Sequence, residues 1–195
     1  ISNATTVILY DEGNNNWATR VFWTLEYYGH SGKVSILNGG FNKWKSEGRE
    51  ITGDVPKVKR VGFNTSIDES RLATKEYLLA NLGKKAILIL DVRSPKEYRG
   101  EDRRADRGGH IPGAVNVEWT NNLVPESAVF KPSKALKELY QGAGITKDTE
   151  VVVYCQSGMR ASHTYFVLRL LGYQRVRLYD GSWQEWGNDP TSPIE

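Results

Sequence analysis

The stretch Val151-Val152-Val153-Tyr154-Cys155-Gln156-Ser157-Gly158-Met159-Arg160 reads as a buried strand, a short polar loop and the first turn of a helix. Val151 to Tyr154 is the most β-branched run of the chain, the pattern of a strand covered on both faces. Beyond the loop, Phe166 with Leu170 and Val167 with Leu171 recur at helical spacing, which predicts a helix from Arg160 to Leu171 with one apolar face. Gly172 ends that helix and Val176 to Leu178 supplies another strand. Working backwards, Ile87 to Leu90 is a short apolar run closed by Asp91, and Val115 to Val117 is a second, shorter strand. Thr74 is positioned to cap a helix running to about Leu82, before Gly83. Ser94-Pro95-Lys96-Glu97 is a capping box with proline at the first helical position, and Ser133 caps a helix to Tyr140, closed by Gly142. Strands alternating with helices predict an α/β fold with a mainly parallel sheet.

The same pattern occurs twice. Val7-Ile8-Leu9-Tyr10-Asp11 precedes a polar loop, a helical stretch from Trp17 to Tyr28, Gly29 and an apolar run from Val34 to Leu37. It closes on Asn38-Gly39-Gly40-Phe41 and Trp44, as the later segment closes on Asp180-Gly181-Ser182-Trp183 and Trp186. The offset drifts only from 144 residues at the strand to 142 at the final tryptophan. We read a duplicated unit. Residues 1–49 are then the back half of one domain, 50–66 a linker carrying Pro56, Lys57, Lys59 and Arg60, and 67–195 a whole domain. On that reading about 75 residues precede this segment in an intact protein of about 270.

Cys155 falls at the carboxyl end of a strand, where ligands bind in parallel sheets. A short loop between strand and helix turns backbone N–H groups toward its own centre. With the positive end of the helix dipole they bind anions and favour a thiolate. Gly158 permits the tight curvature, and Arg160 adds a permanent positive charge. A free cysteine by itself is more often a small buried apolar residue. The polar neighbours Gln156, Ser157, Gly158 and Arg160 turn the reading toward a nucleophile acting on an anionic group.

Composition excludes several other classes. One cysteine allows neither an intrachain disulfide nor a multi-cysteine zinc site, and His30, His110 and His163 have no ligand spacing, so no metal or cofactor is expected. A net charge of +3 is too weak to argue for nucleic acid. Apolar runs such as Ala86 to Leu90 are strand-length, far short of the ~18–20 residues of a membrane span. The start, Ile1-Ser2-Asn3-Ala4, has no basic or apolar leader, which leans toward a cytoplasmic protein.

Taken in order, Asp91-Val92-Arg93, Gly109-His110-Ile111-Pro112-Gly113-Ala114, the Cys155–Arg160 loop and Tyr179-Asp180-Gly181-Ser182-Trp183 make the chain resemble the rhodanese family, specifically its tandem-domain thiosulfate and 3-mercaptopyruvate sulfurtransferases. The resemblance implies a duplicated rhodanese fold, a parallel central sheet flanked by helices, in which only the second copy is catalytic. It implies that Cys155 cycles between thiolate and persulfide, carrying a sulfane sulfur from a small anionic donor to a thiol or to cyanide. Gln156, Ser157, Gly158, Met159 and Arg160, with Arg93, are the residues expected to hold the donor; for Arg93 a structural ion pair with a nearby carboxylate is the alternative. Asp11 stands in the place of Cys155 and Trp17 in the place of Arg160. A carboxylate cannot hold a persulfide, so the first copy is expected to be scaffold and one wall of a cleft.

Three departures from the family pattern bear on function. Cysteine phosphatases on the same fold carry Cys-x5-Arg, whereas here the spacing is Cys-x4-Arg and Ala161 stands where the phosphatase arginine would be. The shorter loop favours sulfur transfer. Vertebrate members place a substrate-binding arginine where this chain has Glu97, which reads first as the capping-box residue. Gln156-Ser157 matches neither the thiosulfate nor the mercaptopyruvate type of loop. Thiosulfate is the expected donor and 3-mercaptopyruvate the alternative; a cysteine phosphatase and a noncatalytic sulfur-relay module remain competing readings. His110 and His163 are expected to be structural, Trp183 and Trp186 core anchors, and Arg99 to Arg107 a solvated loop.

Overall fold

Glu150 to Tyr154 forms the central strand of the chain because five successive residues, three of them valine, find cover on both faces. The computed structural model describes residues 1–195. The chain opens with β1 (Val7–Leu9), α1 (Asn16–Tyr27), β2 (Val34–Ile36) and α2 (Gly40–Ser46). A stretch without helix or strand follows, to a 3-10 turn at Glu69–Arg71, and a second such turn lies at Trp119–Asn122. The remainder runs β3 (Leu72–Ala73), α3 (Lys75–Leu79), β4 (Ile87–Asp91), α4 (Pro95–Tyr98), β5 (Val115–Asn116), α5 (Ser133–Gly142), β6 (Glu150–Tyr154), α6 (Met159–Leu170), β7 (Val176–Tyr179) and α7 (Ser182–Trp186).

The second region builds a five-stranded, wholly parallel sheet in the order β3-β7-β6-β4-β5. The first region holds a two-stranded parallel sheet, β1-β2. Pairing of Val7 with Val34 there matches pairing of Val151 with Val176 in the larger sheet. The order strand, helix, strand, helix is also the same in both.

Alternation along β6 divides the core. Val151 and Val153 face a cluster with Leu136, Tyr165, Val167 and Leu168, while Val152 and Tyr154 face Leu78, Ile111, Trp183 and Trp186. Phe22 and Trp23 of α1 belong to the first of these clusters, and Phe22 meets Phe166 edge-on at 5.0 Å. The two regions therefore share one core through α1 and α6. This corrects the one-sided helix expected for α6. Ala161 to Leu168 are all buried, including Ser162, His163 and Thr164, whereas Leu170 is 60% exposed, because the helix lies between the sheet and α1.

Local signals hold with adjusted boundaries. Thr74 accepts the Tyr77 N–H at 3.1 Å, but α3 stops at Leu79, short of Leu82. The capping box at Ser94 and Glu97 is complete. Ser133 is the first helical residue of α5, and Pro132 occupies the cap. Trp183 and Trp186 are buried anchors. No helix is long and apolar enough to cross a membrane.

Candidate active site

β6 ends at Tyr154 and delivers Cys155, 1% exposed, into the turn before α6. Gly158 is the N-cap of α6 and lies in the left-handed region at φ +81°. The backbone angle favours glycine, and a Cβ there would also press on the side chains of Asp180 and Arg20. The loop is braced from β7 and α7. Trp183 N–H donates to the Cys155 carbonyl and Gln184 N–H to the Gln156 carbonyl, both at 2.9 Å. Ser182 Oγ accepts the N–H of Cys155 at 3.2 Å and of Gly158 at 3.1 Å, and donates to the Tyr179 carbonyl at 2.8 Å.

The N–H groups of Gln156, Ser157, Met159, Arg160 and Ala161 donate to no group of the chain. They are the orphan donors of a helix N-terminus and the loop that leads into it. What such a loop does with an anion is visible in the first region. There the Asp11 carboxylate accepts Gly13 and Asn15 N–H, each at 3.0 Å, through Oδ1, and Trp17 and Ala18 N–H at 3.0 and 3.1 Å through Oδ2. Asn15 caps α1 in the left-handed region at φ 65°, as Gly158 caps α6. Phe41 N–H donates to the Asp11 carbonyl at 2.9 Å, as Trp183 does to Cys155.

The arginines behave differently from the sequence reading. Arg160 forms a two-pronged ion pair with Glu97, at 2.7 and 2.8 Å, so its guanidinium is engaged and not simply presented to a ligand. Burial alone would push the Glu97 carboxyl up, but hydrogen bonds from Arg160 and the Ser94 N–H hold it down at about 2. Glu97 is thus the capping residue that was expected and also the partner of Arg160.

Arg93, expected to hold the donor, is 1% exposed; its Nε and Nη2 donate to Asp91 and the Gly109 carbonyl, and its Cζ lies 4.4 Å from the centre of the Trp183 ring. The ion pair with Asp91 is the structural alternative that the sequence left open for this residue. A side chain sealed under Trp183 by a buried carboxylate serves as a core ion pair. Ser157 is exposed and Met159 half-buried beside the cysteine. The Gln156 amide donates to the Arg104 carbonyl at 2.8 Å, while its own oxygen is buried without a partner.

The segment from Arg99 to Arg107 is only partly a solvated loop. Arg107 donates to the carbonyls of Trp186, Gly187, Asp189 and Ser192 and ties the C-terminal turn down. His110 Nδ1 lies 2.9 Å from the Tyr98 carbonyl, with its ring stacked on Tyr98, and fixes its turn. His163 is fully buried and packed between Trp119 and Phe130. Burial pushes it down to about 3, so it stays neutral. An open cavity of about 800 Å³ lies between Glu12–Asn14, Lys43 and Val124–Val129, beside the Asp11 loop, and is not lined by Cys155.

Ser182 was quoted only as part of a motif, and its role was missed. The signal was available: it aligns with Gly40, and both adopt positive φ, 53° and 59°. A non-glycine residue kept in that conformation points to a side chain that is needed.

Comparison with known proteins gives a match to the model of the rhodanese-like domain over residues 1–47 and 74–189. Over its whole length the chain is 45% identical to the sulfur carrier protein TtuD of Thermus thermophilus, covering 72% of that protein. It is 40% identical to a thiosulfate sulfurtransferase of Azotobacter vinelandii, over 96% of this chain and 69% of that one. The crystal structure of SseA from Escherichia coli, described for the rhodanese fold of 3-mercaptopyruvate sulfotransferases, superposes with a TM-score of 0.80 at 30% identity, covering 94% of this chain and 68% of that one.

Proposed function

The chain belongs to the rhodanese-like domain family, and on that premise we propose that it is a thiosulfate sulfurtransferase working through a persulfide on Cys155. The observation that carries the reading is the pair of loops. One is filled by the Asp11 carboxylate, and the other follows a cysteine with N–H groups that have no partner in the chain. Relatives named as thiosulfate sulfurtransferases support it.

In this cycle the Cys155 thiolate attacks the outer sulfur of thiosulfate. A new S–S bond forms, the sulfur–sulfur bond of the donor breaks, and sulfite leaves with the electron pair. The terminal persulfide sulfur carries the negative charge and is held by the N–H groups of the loop, which also favour the anionic transition state. Cyanide or a thiolate then attacks that terminal sulfur, and the thiolate of Cys155 is released. No proton is transferred in the cyanide reaction, so no base is required. The first 49 residues, with Asp11 in the anion position, act as noncatalytic scaffold; residues 50–66 connect it to the catalytic region at 67–195.

Incubation with thiosulfate and then cyanide should yield thiocyanate, and Cys155→Ser should reduce this to background. An unimpaired Cys155→Ser variant would overturn the reading. 3-Mercaptopyruvate is the second candidate donor, supported by the likeness to SseA. Initial rates with the two donors at equal concentration decide between them. The likeness to TtuD supports a carrier role, in which sulfur would come from a partner protein; wild-type chain inert to both small donors but persulfidated by a desulfurase would favour it.

A further inference from the structure

Three arginines near the Cys155 loop each have a close carboxylate, Arg93 with Asp91, Arg160 with Glu97 and Arg20 with Asp180; a fourth, Arg104, reaches Glu97 at 3.6 Å from the surface. The first two pairs lie within the second region. The third crosses between regions. Arg20 projects from α1 and its guanidinium meets both Asp180 oxygens, at 2.5 and 3.1 Å, while lying 4.7 Å over the Trp23 ring.

Asp180 stands against the loop itself. The position of a Cβ on Gly158 is 2.4 Å from Asp180 Oδ1 and 2.9 Å from Arg20 Nη1. Two residues further on, Ser182 holds the N–H groups of Cys155 and Gly158. The Asp180 side chain is 41% exposed, and Arg20 is its cationic partner. A bare carboxylate at this place would repel an anion entering the cradle.

The first region provides an internal comparison. Laying Trp17 on Arg160 puts Arg20 on His163, and laying Phe41 on Trp183 puts Asn38 on Asp180. Both counterparts are neutral. His163 is buried and uncharged, and the Asn38 oxygen accepts the Phe130 N–H at 2.9 Å. The charged version of the pair occurs beside the cysteine, and the neutral version beside the loop already filled by Asp11.

We infer that Arg20 is a positioning residue that cancels the charge of Asp180 beside the Cys155 loop, so that the noncatalytic region sets how readily that loop admits an anion. The inference rests on the sulfurtransferase reading only for the identity of the natural anion. Its test therefore uses a reaction that needs no turnover. Cys155 is the one cysteine of the chain, so its alkylation by iodoacetate, an anion, can be compared directly with alkylation by neutral iodoacetamide.

Arg20→Gln should lower the iodoacetate-to-iodoacetamide rate ratio about fivefold or more at low ionic strength, with the difference shrinking as salt is added. Asp180→Asn should raise the ratio, the double variant should return it close to wild type, and Arg20→Lys should largely preserve it. The double variant also guards against misfolding of Arg20→Gln alone, because it removes both charges together. With thiosulfate, Arg20→Gln should raise KM more than it lowers kcat.

A ratio unchanged in Arg20→Gln, or a double variant no better than Arg20→Gln, overturns the inference. So does a folded chain whose Cys155 reacts with neither reagent, since no anion then reaches the loop. The expected alkylation pattern without thiocyanate formation would sink the sulfurtransferase reading and leave this one standing; turnover without the pattern does the reverse.

Discussion

Ser182 holds a backbone angle of φ +53°, a conformation that costs an L-residue about 1–2 kcal/mol, and uses its hydroxyl to accept two N–H groups of the cysteine loop. The two contributions can be separated. Ser182→Gly removes the hydroxyl and the strain together, whereas Ser182→Ala removes the hydroxyl alone. Thiocyanate formation should fall about tenfold in both, in line with a lost positioning hydrogen bond. Ser182→Gly should melt above Ser182→Ala by the equivalent of about 1 kcal/mol. Full turnover by the glycine variant would show that the hydroxyl is dispensable. At this scale the sequence was legible wherever partners are local: the Ser94–Glu97 box joins residues three apart, whereas the Cys155–Gly158 turn is held by Ser182, Trp183 and Gln184, beyond β7. The partners of Arg93 and Arg160 were not legible in the same way: Asp91 and Glu97 are brought to them only once β4, α4 and α6 are packed.

α6 starts at a glycine that is constrained twice, by φ +81° and by the Asp180–Arg20 pair pressed against it. Gly172, just beyond the same helix, has φ +91° but open space where a Cβ would lie. Alanine at Gly172 therefore measures backbone strain alone, and alanine at Gly158 measures strain plus collision. Gly172→Ala should lower Tm by about 2–4 °C and Gly158→Ala by at least twice as much, given about 1 kcal/mol for the strain in a chain of this size. Calorimetry on the two variants checks the difference; equal shifts would mean that Asp180 and Arg20 give way freely. The periodicity of α6 misled the reading for a related reason. Helices covered on two sides carry no clean apolar stripe, and the cover of this one comes from distant segments: Thr19 of α1 lies against Ser162, Trp119 and Phe130 against His163, and Asn122 against Thr164. By contrast β4, β6 and β7 were read almost to the residue, since a strand covered on both faces is a local run of apolar side chains.

Because the two regions share a core, the molecule should lose stability in acid as one body. His163 is neutral when folded and pushed from 6.5 to about 3, while an unfolded chain protonates it below pH 6.5. Its burial therefore costs stability as pH falls from 6.5 toward 3. Glu97 is held down from 4.5 to about 2, so its contribution is complete above pH 4.5 and disappears as pH falls toward 2. Urea unfolding should show a loss of about 2 kcal/mol between pH 7 and 5 that His163→Gln largely abolishes, followed by a steeper loss below pH 4.5 that the substitution leaves in place. A pH dependence identical in His163→Gln would exclude His163 as its source. The loop around Asp11 has one more consequence. Its carboxylate is a ligand written into the polypeptide, present at an effective concentration that a diffusing anion does not match. That loop is permanently saturated, while the donors of its cysteine counterpart have no partner in the chain and, on the proposed reading, serve a sulfur-bearing anion from solution. Heredity fixes the occupancy of the one, and chemistry in solution decides the occupancy of the other.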